Sequence, residues 1–144
     1  MQEKSWKDFY YLLLMCKIFE KVEKVFINMH IRSNHDSNEE RLLKLLKENA
    51  PKNVTLLFEH ESSDNFEKFI EKFKHLREKG IGFTFDTAHI FAAGVKAEDI
   101  KKIANGVQPT LIHLNGNQCP FNSHRDVHVP ICSEFDNVFD EKTL

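Results

Sequence analysis

Four residues able to hold a divalent cation recur at near-equal spacing in this sequence: His30, Glu59, Asp86 and His113, separated by 29, 27 and 27 positions. Each lies at or near the end of a short apolar segment: VFINMH (Val25 to His30), VTLLFE (Val54 to Glu59), IGFTFD (Ile81 to Asp86) and TLIHLN (Thr110 to Asn115). His89 follows Asp86 by three residues, so a tight turn can aim a carboxylate and an imidazole into one pocket. Asp126 and His128 are two apart, and alternate side chains of an extended segment share a face. Imidazole and carboxylate together are the ligand set of a hydrolytic zinc or manganese site: neutral imidazole suits borderline-soft ions, and a carboxylate can bridge two of them. Ions held close together bring the pKa of a bound water into the neutral range and stabilise both the attacking and the leaving oxygen of a displacement at phosphorus. Taken singly, each residue has a plainer reading. A strand-end His is more often a hydrogen-bonded structural residue, Glu59 or Asp86 could simply cap the next helix, and Asp126 with His128 could be loop polarity. His35 and His124 read as surface residues. Four consecutive strand ends carrying His, Glu, Asp and His set this chain apart from those plainer readings.

The elements that must position this set are legible in the pattern of the chain. The four segments are rich in β-branched and aromatic residues and read as buried strands. Between them lie helical patterns. Ser5 to Lys21 precedes the first strand. Ser37 with Glu40 forms a capping-box pair ahead of Leu42, Leu43, Leu45 and Leu46, a helix ended by Pro51. Phe66, Phe69, Ile70, Phe73 and Leu76 share one helical face closed by Gly80, and a shorter helix is expected over Lys96 to Ala104. Alternation of helices and strands implies parallel strands joined by right-handed crossovers, hence an α/β fold. In such a sheet the four strand-end residues emerge at one edge, where open α/β sheets and (β/α)8 barrels place their sites. A full barrel takes roughly 250 residues, so four strands suggest part of one; a small open sheet is the alternative.

The 144 residues fit a single domain able to bury a core. A formal net charge of -2 argues against nucleic-acid binding through bulk positive charge. Cys16, Cys119 and Cys132 are odd in number and lack C-x-x-C spacing, which points away from a disulfide framework or a cysteine zinc site and toward a reducing compartment. The apolar run Phe9 to Cys16 is too short to cross a bilayer, has no cleavage signal after it and reads as a buried helix face.

FDTAHIFAAG (Phe85 to Gly94) and HLN (His113 to Asn115) followed by S-x-x-D-x-H (Ser123 to His128) resemble the two signatures of the endonuclease IV family, metal-dependent apurinic/apyrimidinic endonucleases on a (β/α)8 barrel. The resemblance runs from about Ser5 to Glu134. It implies a partial TIM barrel, xylose isomerase-like, over residues 1–144, and up to three zinc ions, with manganese as the other candidate metal. It also implies His89, Asp126 and His128 at one ion, and Glu59 as the catalytic, bridging carboxylate of the other two. Asp86 and His113 would join Glu59 at one of these, and His30 would stand at the other. The implied activity is DNA repair, hydrolysis of the phosphodiester 5′ to an abasic site in double-stranded DNA, in the cytoplasm or nucleus of the source cell.

Departures accompany the likeness. A further His and a further Glu of the family have no counterpart here. The family's H-P-G-S reads His30-Ile31-Arg32-Ser33, Gly116 stands where a carboxylate is expected after HLN, and Val127 replaces the arginine that would meet phosphate. The first expectation is therefore a nuclease-like protein whose activity is incomplete in this chain, completed by a second copy or by the missing barrel half. An inactive relative serving as a metal-binding or interaction module is the alternative from another class, and a sugar isomerase-like fragment is a third reading.

Overall fold

The computed structural model describes residues 3–31, 39–96, 98–100 and 106–138. Along the chain run α1 (Glu3–Cys16), a 3₁₀ turn (Lys17–Phe19), β1 (Val25–Ile31), α2 (Glu39–Asn49), β2 (Val54–His60), α3 (Phe66–Arg77), β3 (Gly82–Asp86), α4 (Thr87–Ala92) and β4 (Leu111–His113). Two short strands follow, β5 (Gly116–Asn117) and β6 (His128–Val129). The four longer strands form one sheet in the order β1-β2-β3-β4, with β2–β3 and β3–β4 parallel. Sequential strands that are neighbours in the sheet and alternate with helices form part of a (β/α) barrel, the α/β class expected from the repeat.

Element ends follow local chemistry. The helix expected over Ser5 to Lys21 stops at Cys16 and tightens into the 3₁₀ turn. β4 is shorter than Thr110 to Asn115 because Thr87 captures the main chain of Asn115: the Asn115 N–H donates to Thr87 Oγ1 (2.9 Å), and that hydroxyl donates to the Asn115 carbonyl (2.6 Å). The antiparallel ribbon of β5 with β6 has no counterpart in the sequence reading. Ser37 of the capping box, His35 and most of the helix expected over Lys96 to Ala104 lie outside the described residues.

The chain divides into two compact units, Met1–Ile27 with Asn34–Leu56 and Asn28–Ser33 with Leu57–Leu144. In the first, Trp6, Phe9, Leu13 and Cys16 are buried, the three- and four-residue spacing of one helix face, and the Arg41 guanidinium lies 4.8 Å from the Trp6 ring centroid. The run Phe9 to Cys16 is thus buried on one face only: Tyr11, Leu12 and Met15 are exposed, because a continuous apolar run on a 3.6-residue period covers every side of the helix.

In the second unit, Phe66, Phe69, Ile70, Phe73 and Leu76 of α3 are buried, and the Phe69 and Phe73 rings meet Phe83 of β3 at 5.5 and 5.2 Å between centroids. Each such phenylalanine contributes about 1.5–3 kcal/mol by leaving water. Asn65 caps α3 by accepting from the Lys68 N–H (2.9 Å), and Gly80, at φ +85°, ends the helix in the left-handed conformation expected of it. Among the described residues no helix is long and apolar enough to cross a membrane.

Candidate metal centre

All of the metal-capable residues singled out in the sequence belong to the second unit. His30, Glu59, Asp86 and His113 stand at or next to the C-terminal ends of β1 to β4, and the parallel register pairs Asp86 with His113. Glu59 pairs with Thr84, which shares its strand face with Asp86 two residues on, so the parallel strands deliver these side chains to one edge.

Glu59 and Asp86 form the buried floor, their side chains 3% and 1% exposed. His30, His113 and His128 form a rim open to solvent, at 51%, 37% and 41%. Glu59 is approached by His30 (Nε2 to Oε2, 3.7 Å), His89 (Nδ1 to Oε1, 3.2 Å) and His113 (Nδ1 to Oε1, 3.4 Å). Asp86 is approached by His113 (Nδ1 to Oδ2, 3.6 Å) and His128 (Nε2 to Oδ1, 3.8 Å). Asp126 bridges two imidazoles, with Oδ2 2.9 Å from His89 Nε2 and Oδ1 2.9 Å from His128 Nε2, and the His89 and His128 rings stack at 5.3 Å.

Three sets, His30–Glu59–His89, Asp86–His89–His128 and Glu59–Asp86–His113, each bring one ligand atom per residue within 4.8 Å of the others. Atoms bound to one zinc at 2.0–2.2 Å in a tetrahedron stand about 3.3–3.6 Å apart, close to the separations around Glu59 and Asp86. Two buried carboxylates faced by imidazoles are also the charge arrangement that a dication neutralises. The residues present therefore fit a divalent ion.

The two floor carboxylates are held differently. Asp86 does cap α4, through Oδ1 accepting from the Ala88 N–H (2.9 Å) and the His89 N–H (3.1 Å), while Oδ2 accepts from Asn115 Nδ2 (2.7 Å) on the side of His113. Capping and site-facing roles share one carboxylate. Burial works to raise the Glu59 pKa, but hydrogen bonds from His30, His89 and Asn28 outweigh it and hold the carboxyl well below the usual range. Glu59 is thus a charged acceptor ready for a cation.

Burial likewise pushes the His89 imidazolium down, and the hydrogen bond with Glu59 together with the charges of Asp86 and Asp126 reverses this, raising its pKa to about 9. His89 Nδ1 lies 2.9 Å from the His60 carbonyl, to which a proton on that nitrogen donates. Nε2 is left facing Asp126, the orientation by which a main-chain acceptor prepares a metal-ligating histidine. His60 itself is fully buried between the edges of Phe66 and Phe69, and burial pushes its pKa down to about 4, against the opposing hydrogen bond with the Asp64 carbonyl.

Three contributors were not singled out from the sequence. Asn28 donates to Glu59 Oε2, Asn115 donates to Asp86, and the His60 carbonyl orients His89. Asn28 carries a usable signal, since it stands two residues before His30 and so on the same strand face. The main-chain acceptor carries none. His124, read as a surface residue, is exposed, with Nδ1 3.2 Å from the Ser62 carbonyl.

Fold and side chains together define a partial (β/α) barrel whose strand ends gather His, Asp and Glu clusters positioned to coordinate metal. Neither a protein-family model nor a curated protein matches the sequence.

Proposed function

We propose that this chain is a divalent-metal-binding module on a partial barrel, with zinc as the ion and His30, Glu59, Asp86, His89, His113, Asp126 and His128 as its ligands. The observation that carries the reading is the pairing of two buried carboxylates, Glu59 and Asp86, with imidazole nitrogens of His30, His113 and His128 at 3.4–3.8 Å. Burying two carboxylates is costly, and a dication between them offsets that cost more fully than the single positive charge of the His89 imidazolium. The thermal midpoint of the chelated protein should rise on adding zinc and fall again with chelator, because an ion that binds only the folded state stabilises it. A midpoint indifferent to both zinc and manganese would defeat the proposal.

A second, more specific reading is descent from phosphodiester-cleaving enzymes of the endonuclease IV type acting on abasic DNA. One feature favours it beyond the motifs: Glu59 belongs to two of the ligand sets, as a carboxylate shared between two ion positions does at sites that displace at phosphorus. When bound, such ions supply Lewis acidity toward phosphate oxygens. In this reading Glu59 is the catalytic carboxylate, the solvent-facing rim of His30, His113 and His128 meets the backbone, and residues 1–144 act as one domain in a reducing cytoplasmic or nuclear compartment. The family's further His and Glu, absent from matching positions here, would come from a second copy or from a separate barrel half.

A further inference from the structure

At the end of β5 stands a side chain that no ligand set contains and that touches the supports of three ligands at once. Asn117 is fully buried, and its amide meets four main-chain groups. Nδ2 donates to the Arg125 carbonyl (3.1 Å) and to the Ala88 carbonyl (3.4 Å); Oδ1 accepts from the Cys119 N–H (2.9 Å) and the Val127 N–H (3.4 Å). An amide offers two donors and two acceptor lone pairs, so its capacity is filled. The partners are not random. Arg125 and Val127 flank Asp126, so Asn117 grips the peptide groups on both sides of that ligand, and Ala88 immediately precedes His89. The β5–β6 register pairs Asn117 with His128. The same loop is fastened again at the end of α4, where the Asn122 N–H donates to the Phe91 carbonyl (3.2 Å) and the His124 N–H to the Ala92 carbonyl (2.9 Å).

We infer that Asn117 is a positioning residue that locks the Asp126–His128 segment onto α4, so that His89, Asp126 and His128 are set as one ligand group before any ion arrives. The inference rests on the metal-binding reading proposed above. Physically, an ion captured by three ligands from two separate segments must order those segments as it binds; a buried amide that has already fixed both removes that cost from the binding step. The nearest alternative, an asparagine that merely completes a turn, would use only its contact with Cys119 two residues on. It would need neither Ala88 nor the two peptides around Asp126.

Two measurements test it. The first counts zinc bound to the wild-type chain and to Asn117→Ala by native mass spectrometry, with a zinc titration of each. Wild type should hold zinc, and Asn117→Ala should bind the His89–Asp126–His128 ion roughly 10–100-fold more weakly, the range set by loss of an orienting partner, while ions at Glu59, Asp86 and His113 persist. A wild type without zinc overturns the metal reading itself. A zinc-loaded wild type with an equally avid Asn117→Ala overturns only the positioning role.

The second needs no variant, and so stands even if Asn117→Ala fails to fold. Exchange of the Asn117 side-chain amide protons is followed by NMR in the metal-free and the zinc-loaded wild type. Slow exchange in both supports a lock formed before the ion; fast exchange in the metal-free protein, slowed only by zinc, means that the ion builds the lock and overturns the inference.

Discussion

At the scale of residues, the candidate centre is a competition between protons and ions for the same nitrogens. In the metal-free protein His89 carries a proton up to about pH 9, stabilised by Glu59, Asp86 and Asp126 after burial has opposed it. That raised pKa contributes stability that is complete below about pH 6.5, the unfolded value, and is lost as pH rises through the folded value. Zinc binding runs the other way, because an ion at Nε2 must displace the proton. The zinc-induced rise in thermal midpoint, measured at fixed zinc, should therefore grow with pH up to about 9, with apparent affinity climbing about tenfold per pH unit, and flatten above. A zinc effect that is constant from pH 6 to 9 would mean that His89 is not a ligand.

Much of this scale was readable in advance only as a set of residue types. Spacing brings His30, Glu59, Asp86 and His113 to strand ends, but which imidazole faces which carboxylate depends on rotamers and on acceptors such as the His60 carbonyl, which no residue name announces.

At the scale of elements, strands and helices were legible because their apolar periods are long and their ends carry chemical signals, Asn65 and Gly80 around α3 among them. The β5–β6 ribbon was not, since two-residue strands carry no period and are held by Asn117 and Asp136 through main-chain contacts between distant segments. Gly94 joins these worlds. It ends α4 at φ +77°, and a Cβ there would run into the Asn122 side chain, whereas a Cβ on Gly80, at φ +85°, meets nothing within 4 Å. Gly80→Ala should cost about 1–2 kcal/mol, the left-handed penalty alone. Gly94→Ala should cost more than that, because the loop bearing Asp126 must also shift. Urea unfolding of the two metal-free variants checks this, and equal losses would show that the loop does not press on α4 at that point.

At the scale of the whole molecule, the charge balance and the residues beside the strand-end site bear on whether the chain meets DNA. The net charge is -2, Val127 stands half-exposed where the resemblance calls for an arginine, and Ile112 and Leu114 near the strand-end site are exposed apolar residues rather than phosphate contacts. Affinity for duplex DNA draws chiefly on cations that neutralise phosphates, and a net charge of -2 supplies no general attraction. The purified chain, zinc-loaded, should give no incision of an abasic-site duplex above the buffer-and-metal background. Chelator-sensitive cutting on the 5′ side of the lesion would instead mean that a second copy or an unassigned residue completes the centre.

Everything proposed for this chain requires that the strand-end carboxylates and imidazoles hold ions. The most direct measurement is the metal content of the chain, by mass spectrometry after chelation, zinc loading and exhaustive dialysis, for wild type beside His89→Ala, Asp126→Ala and Cys119→Ser. The account predicts bound zinc in the wild type, one ion fewer without His89 or without Asp126, which meets the His89 and His128 nitrogens at 2.9 Å, and no change in Cys119→Ser, whose sulfur is in no cluster of metal-capable side chains. Wild type devoid of zinc, or His89→Ala holding as much as wild type, would contradict it.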